Sequence, residues 1–157
     1  YVLYYDGKNF RKVAEGLAYA NGINMSSDGQ TVYVAATVGQ KIYVYDRDGK
    51  TGDLSLRSTI EAGTGVDNIE IDQKGDLWVG SHPKLLTFVK YSKDPGVLSP
   101  SQVIKVEKKA AGQYNVREIY LNNGQPMSGA SVAAVFGDTL LIGSVFDERF
   151  LLCRLQN

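Results

Sequence analysis

Asn21-Gly22-Ile23-Asn24-Met25-Ser26-Ser27-Asp28-Gly29-Gln30-Thr31-Val32-Tyr33-Val34-Ala35 has a second copy of its pattern at Asp67-Asn68-Ile69-Glu70-Ile71-Asp72-Gln73-Lys74-Gly75-Asp76-Leu77-Trp78-Val79-Gly80. Each copy is a short strand opened by an Asx residue, a tight turn ending on glycine, and a second strand rich in β-branched and aromatic residues. A third copy, Ala130-Ser131-Val132-Ala133-Ala134-Val135-Phe136-Gly137-Asp138-Thr139-Leu140-Leu141-Ile142-Gly143, follows after a longer connection. Gly29, Gly75 and Gly137 mark the same turn three times. A four-stranded unit recurring every 40 to 50 residues or so is the period of a propeller blade.

Outward from these copies the whole chain reads as all-β. Strands are predicted at 1–5, 9–14, 22–26, 31–37, 41–46, 53–60, 67–72, 76–81, 84–92, 99–106, 115–122, 130–136, 138–146 and 149–155, and 107–114 is predicted as the longest loop. No window sustains a helical apolar period over three turns. The blades are placed at 20–62, 66–107 and 115–155, with 1–17 completing a preceding blade. Closed propellers have about four to eight blades, so these residues are expected to form the C-terminal half of a propeller, either a fragment or one of two chains. The open edges call for another polypeptide segment, an N-terminal half from the same precursor or from a second chain, to cover them.

With 157 residues, 43% of them hydrophobic, the chain can bury a core. Seventeen basic residues balance seventeen acidic ones. That balance leaves no excess to attract a phosphate backbone or an anionic membrane, which argues against nucleic acid as a partner. No apolar run reaches the roughly 20 residues of a spanning helix. There is one cysteine, Cys153, and one histidine, His82. A disulfide within these residues, a thiolate metal site and a histidine pair are therefore excluded here.

Chemistry must then use oxygen ligands or borrow groups from another chain. Asn21 and Asp67-Asn68 open the inner strands of consecutive blades, so their side chains are expected to converge on the ring axis. Such an oxygen set suits a calcium ion. The same residues also serve as Asx-turn formers at strand starts, and spacing alone leaves both interpretations open. Three weaker motifs fail on context. Asp46 to Asp53 lacks the spacing and terminal Glu of an EF-hand loop; Gly129-Ala130-Ser131 lacks the helix of a nucleophile elbow; Gly63-Thr64-Gly65 lacks a third glycine. Asn24-Met25-Ser26 is a formal glycosylation sequon, but inside an inner strand it is expected to stay unmodified.

Asn21-Gly22-Ile23 with Ser27-Asp28-Gly29, Val66-Asp67-Asn68-Ile69, Gly75-Asp76-Leu77-Trp78-Val79-Gly80-Ser81-His82-Pro83, and Leu141-Ile142-Gly143-Ser144-Val145-Phe146 with Cys153 occur in the order of a known family. In them the chain resembles the C-terminal half of a serum paraoxonase, the arylesterase and lactonase family. Asn68, where gluconolactonase-type propellers carry Gly, separates it from that related group.

The resemblance implies a six-bladed propeller with two calcium ions and calcium-dependent hydrolysis of lactones and aryl esters. It implies that Asn21, Asp67 and Asn68 hold the catalytic calcium together with a Glu and an Asn from the N-terminal half. The structural calcium and the catalytic histidine pair would lie in that half too. His82 matches a pocket histidine expected to donate to substrate oxygen, although a lone histidine also serves as a hydrogen-bonded structural residue. Tyr19, Ser131, Val145 and Phe146 match the pocket wall. Ser81 departs from the free cysteine of vertebrate members. Cys153 matches a C-terminal cysteine bridged to one near the N-terminus, outside these residues, with a secreted, extracellular or ER-lumenal location. Relatives that assist membrane-protein assembly leave a non-enzymatic or scaffold role as the rival expectation.

Overall fold

A computed structural model describes residues 1–109 and 112–156. The strands are β1 (Val2–Tyr5), β2 (Phe10–Ala14), β3 (Ala20–Met25), β4 (Thr31–Ala36), β5 (Lys41–Arg47), β6 (Leu54–Glu61), β7 (Gly65–Ile71), β8 (Leu77–His82), β9 (Gln102–Lys108), β10 (Tyr114–Leu121), β11 (Ala130–Phe136), β12 (Thr139–Ser144) and β13 (Phe150–Arg154). Helix α1 (Leu85–Tyr91) lies between β8 and β9. Four antiparallel sheets follow in chain order: β1-β2, β3-β4-β5-β6, β7-β8-β9-β10 and β11-β12-β13. Each is a meander whose neighbours in sequence pair in space, and the sheets do not close on one another. The architecture is part of a β-propeller.

The core sits between successive sheets, which explains why the second strands are continuous apolar runs and not alternating ones. β4 and β8 are buried along their whole length because a sheet packs on each face. Tyr33, Ala35, Ile42 and Val44 of one sheet meet Val66, Ile69, Leu77 and Val79 of the next. Trp78 and Val103 then meet Ala133, Leu140 and Ile142 of the last, together with Met127 just before it. Full burial of side chains of this size contributes about 1.5–3 kcal/mol each.

Two expectations are corrected. Residues 84–92 do not form a strand: after Pro83 the chain turns into α1, and Leu85, Phe88 and Tyr91, three apart, form its inward face. Leu86 stays 82% exposed on the other side. The blade boundaries also move. The 107–114 stretch is the turn of a hairpin, closed by the Lys109 N–H donating to the Gln113 carbonyl at 2.8 Å, although its positions 110 and 111 lie outside the described residues. β10 consequently pairs with β9, so the sheet expected at 66–107 runs over 65–121 and the last one over 130–154.

Candidate functional site

The three inner strands share one irregularity. β3 shifts register against β4 between Ala20 and Ile23, β7 against β8 between Val66 and Ile69, and β11 against β12 between Ala130 and Val132. A bulge leaves an extra residue unpaired and re-aims it. The residues inside these bulges are Asn21-Gly22, Asp67-Asn68 and Ser131.

The bulges are drawn together by two glycines. A Cβ on Gly22 would lie 2.3 Å from the carbonyl oxygen of Asp67, and one on Gly80 of β8 would lie 2.3 Å from the carbonyl carbon of Ser131. Only a residue without a side chain lets neighbouring blades approach so closely.

A line of hydrogen bonds then crosses the blades. Asn21 Nδ2 donates to Thr37 Oγ1 at 3.2 Å, and Thr37 Oγ1 donates to the Val66 carbonyl at 2.7 Å. Asn24 Nδ2 donates to the Ile69 carbonyl at 2.8 Å, tying down the nitrogen that a glycan on the sequon would occupy. Asn68 Nδ2 donates to Ser131 Oγ at 2.9 Å. His82 Nε2 lies 3.1 Å from Asp67 Oδ2.

These bonds use the amide nitrogens of Asn21 and Asn68 and one carboxylate oxygen of Asp67. Among the described residues, Oδ1 of all three carries no hydrogen bond. The set is one carboxylate and two amides, since no three His, Cys, Asp or Glu side chains cluster among those residues. Asp67 is 4% exposed, and a carboxylate so buried calls for a positive partner. Oxygen donors of this composition fit a calcium ion and suit zinc poorly.

Beside them stands an aromatic wall on α1. The Phe88 ring stacks on His82 with centroids 3.7 Å apart, Phe146 lies 6.4 Å from Phe88, and Tyr91 meets Phe146 edge-on at 5.4 Å. Burial pushes the Tyr91 phenol above its ordinary pKa, and its bond to Asp147 acts in the same direction.

The arylesterase family model matches residues 1–155. The chain belongs to the arylesterase family. It is 40% identical over 157 residues to serum paraoxonase/arylesterase 1 of Homo sapiens, an overlap covering 99% of this chain and 43% of that protein. It is 35% identical over 158 residues to human serum paraoxonase/lactonase 3, with the same shares covered. The chain thus spans less than half the length of these curated relatives. A solved luciferin-regenerating enzyme superposes with a TM-score of 0.60 at 20% identity, over 88% of this chain and 44% of that one; this is a likeness of fold alone.

In this arylesterase-family chain Gly22 sets the bulge of Asn21 against that of Asp67 and Asn68, and Asn68 bonds to Ser131. Tyr19 stands just before the first bulge in a left-handed conformation, φ 62°, and is 68% exposed. Val145 pairs through its N–H with the Gly129 carbonyl at the equivalent place in the last sheet, and Phe146 joins the aromatic wall. His82 differs from expectation. Its side chain is 1% exposed, its Nε2 is engaged with Asp67, and its Nδ1 is buried. Ser81 is fully buried against its own strand. Sequence reasoning missed Thr37, Phe88 and Tyr91. Thr37 was open to discovery, because just after its second strand it takes the place that His82 takes in the next blade.

Proposed function

We propose that this chain is the C-terminal half of a six-bladed propeller that hydrolyses lactones and aryl esters with a calcium ion in its channel. The observation that carries the proposal is the convergence of Asn21, Asp67 and Asn68, each with an unbonded Oδ1, in bulges of adjacent inner strands. Family membership supports the hydrolase class. The share of the relatives' length, and the exposure of Ile23, Met25, Phe150 and Leu152, support a missing half that packs on those faces.

Asn21, Asp67 and Asn68 would hold the ion, completed by ligands from the N-terminal half. The chemistry it supplies when bound is Lewis-acid polarisation of an ester carbonyl and stabilisation of the oxyanion. Thr37 and Ser131 fix the amides so that their oxygens are presented without reorganisation. Phe88 and Phe146, backed by the buried Tyr91, would offer an apolar wall to an aryl or alkyl group and exclude water from that side. With His82 engaged, the base that activates water comes from the other half. Cys153 is joined to that half, in a secreted protein.

The test is turnover of a lactone and a phenyl ester by the full-length protein, with and without a chelator, alongside calorimetric calcium binding to Asp67→Ala. Chelator-sensitive turnover and loss of binding are expected. Unchanged calcium affinity in Asp67→Ala sinks the ligand assignment, and calcium binding without turnover assigns the pocket to a non-enzymatic role.

A further inference from the structure

We infer that His82 is a positioning residue for Asp67: its Nε2–H holds Oδ2 from behind, so that the other carboxylate oxygen is presented to the channel, and the imidazole itself does not meet substrate. The inference deepens the calcium assignment and depends on it.

Four observations carry it. The Nε2 to Oδ2 distance is 3.1 Å, between side chains 1% and 6% exposed. That burial arises within these residues alone, and any further blade adds to it. The ring is clamped at 3.7 Å under Phe88, which α1 fixes in place. Its Nδ1 is buried and has no hydrogen-bond partner among the described residues.

This last point selects the tautomer. A proton on Nδ1 would bury an N–H without an acceptor and leave Asp67 Oδ2 facing a lone pair. A proton on Nε2 satisfies Asp67 and leaves on Nδ1 an unbonded acceptor in place of an unbonded donor. The geometry therefore assigns a proton to Nε2.

The preceding blade repeats the device. Thr37, just after β4, and His82, the last residue of β8, stand at matching places opposite Tyr19 and Gly65. Thr37 engages the bulge residue Asn21 as His82 engages the bulge residue Asp67. In both blades, then, the residue at the matching place at the end of the second strand, Thr37 just after β4 and His82 closing β8, holds the oxygen-bearing side chain of the first. Outer partners of this kind are worth roughly 10- to 100-fold in metal affinity.

The experiment uses the full-length protein, stripped with chelator and titrated with calcium by calorimetry. His82→Phe keeps a flat ring against Phe88 and removes the donor; His82→Gln places an amide N–H near the lost Nε2. Affinity should fall roughly 10- to 100-fold in His82→Phe and be largely restored in His82→Gln. Nitrogen-15 NMR of the wild-type imidazole, which needs no variant to fold, should show the proton on Nε2. A proton on Nδ1 overturns the inference, as does unchanged calcium affinity in His82→Phe while Asp67→Ala loses binding. Calcium binding retained in Asp67→Ala counts instead against the underlying metal assignment.

Discussion

Gly22 lies so close to Asp67 that a single added carbon would sit 2.3 Å from the Asp67 carbonyl oxygen. The obstacle is backbone, which cannot swing aside as a side-chain tip can. Gly22→Ala is therefore expected to push β3 away from β7, costing about 1–3 kcal/mol as overpacked sites do and weakening calcium binding with it. Thermal unfolding and calorimetry of the full-length variant check this; wild-type values for both would show that the close approach is not required.

Tyr91 fastens α1 to the loop after β12. Its hydroxyl donates to Asp147 Oδ1 at 2.5 Å, and the other oxygen of Asp147 accepts from the Ser128 N–H at 3.0 Å. A seven-residue helix is too short to be stable by itself, and α1 has no side-chain N-cap. Tyr91→Phe is expected to release about 1–2 kcal/mol of local stability, which is a 5- to 30-fold rise in hydrogen exchange at the amides of 85–91. Exchange at wild-type rates would assign the helix's stability to ring packing alone.

Asp72 gives an acid-side prediction. Burial raises its pKa, but donors from the Trp78 indole at 3.0 Å and from the Asp76 and Lys74 backbones at 3.0 and 2.9 Å outweigh that and leave it below the ordinary value. The folded state thus binds fewer protons than the unfolded chain. Its contribution is complete above about pH 3.9 and is lost as pH falls through the lower folded value. Asp72→Asn should cost about 1–3 kcal/mol at neutral pH, with the difference from wild type closing in acid. Denaturant unfolding at several pH values measures it, and a gap that stayed constant with pH would refute the charge-based account.

Cys153 lies on β13 opposite Leu140, partly buried beside the cluster that includes Trp78 and Ile142. On the proposed reading it is bridged to a cysteine outside these residues. Non-reducing electrophoresis with mass spectrometry should recover that pair, and Cys153→Ser should lose about 2–4 kcal/mol. Free alkylation of Cys153 in the native, unreduced protein contradicts the bridge.

The repeat was legible because Gly29, Gly75 and Gly137 sit between strands whose apolar patterns match. The helix was not, because Leu85 to Tyr91 is a run of a length that suits a strand or two helical turns, and only packing of Leu85, Phe88 and Tyr91 against the neighbouring sheet decides between them. The β10 assignment failed for a related reason: a polar, glycine-containing turn looks the same within a blade as between blades. At the site, the residue types at Asn21, Asp67 and Asn68 were readable. The bulges were not, since an unpaired residue is defined by its partner strand. Nor was the direction of His82, which depends on where α1 places Phe88.

The meander has a consequence for the order of assembly. Strand pairing within each sheet joins near neighbours along the chain, so a blade can form as its residues leave the ribosome. Asn21–Thr37 and Asp67–His82 likewise form within a blade, but two bonds are of the other kind: Asn24 reaches 45 residues ahead to Ile69, and Asn68 reaches 63 to Ser131. They close only when finished blades dock. A ligand gripped by Asn21, Asp67 and Asn68 therefore draws its stabilisation from the seams between blades and leaves the blades' own pairing untouched. Its occupancy reports that the last step of folding is complete.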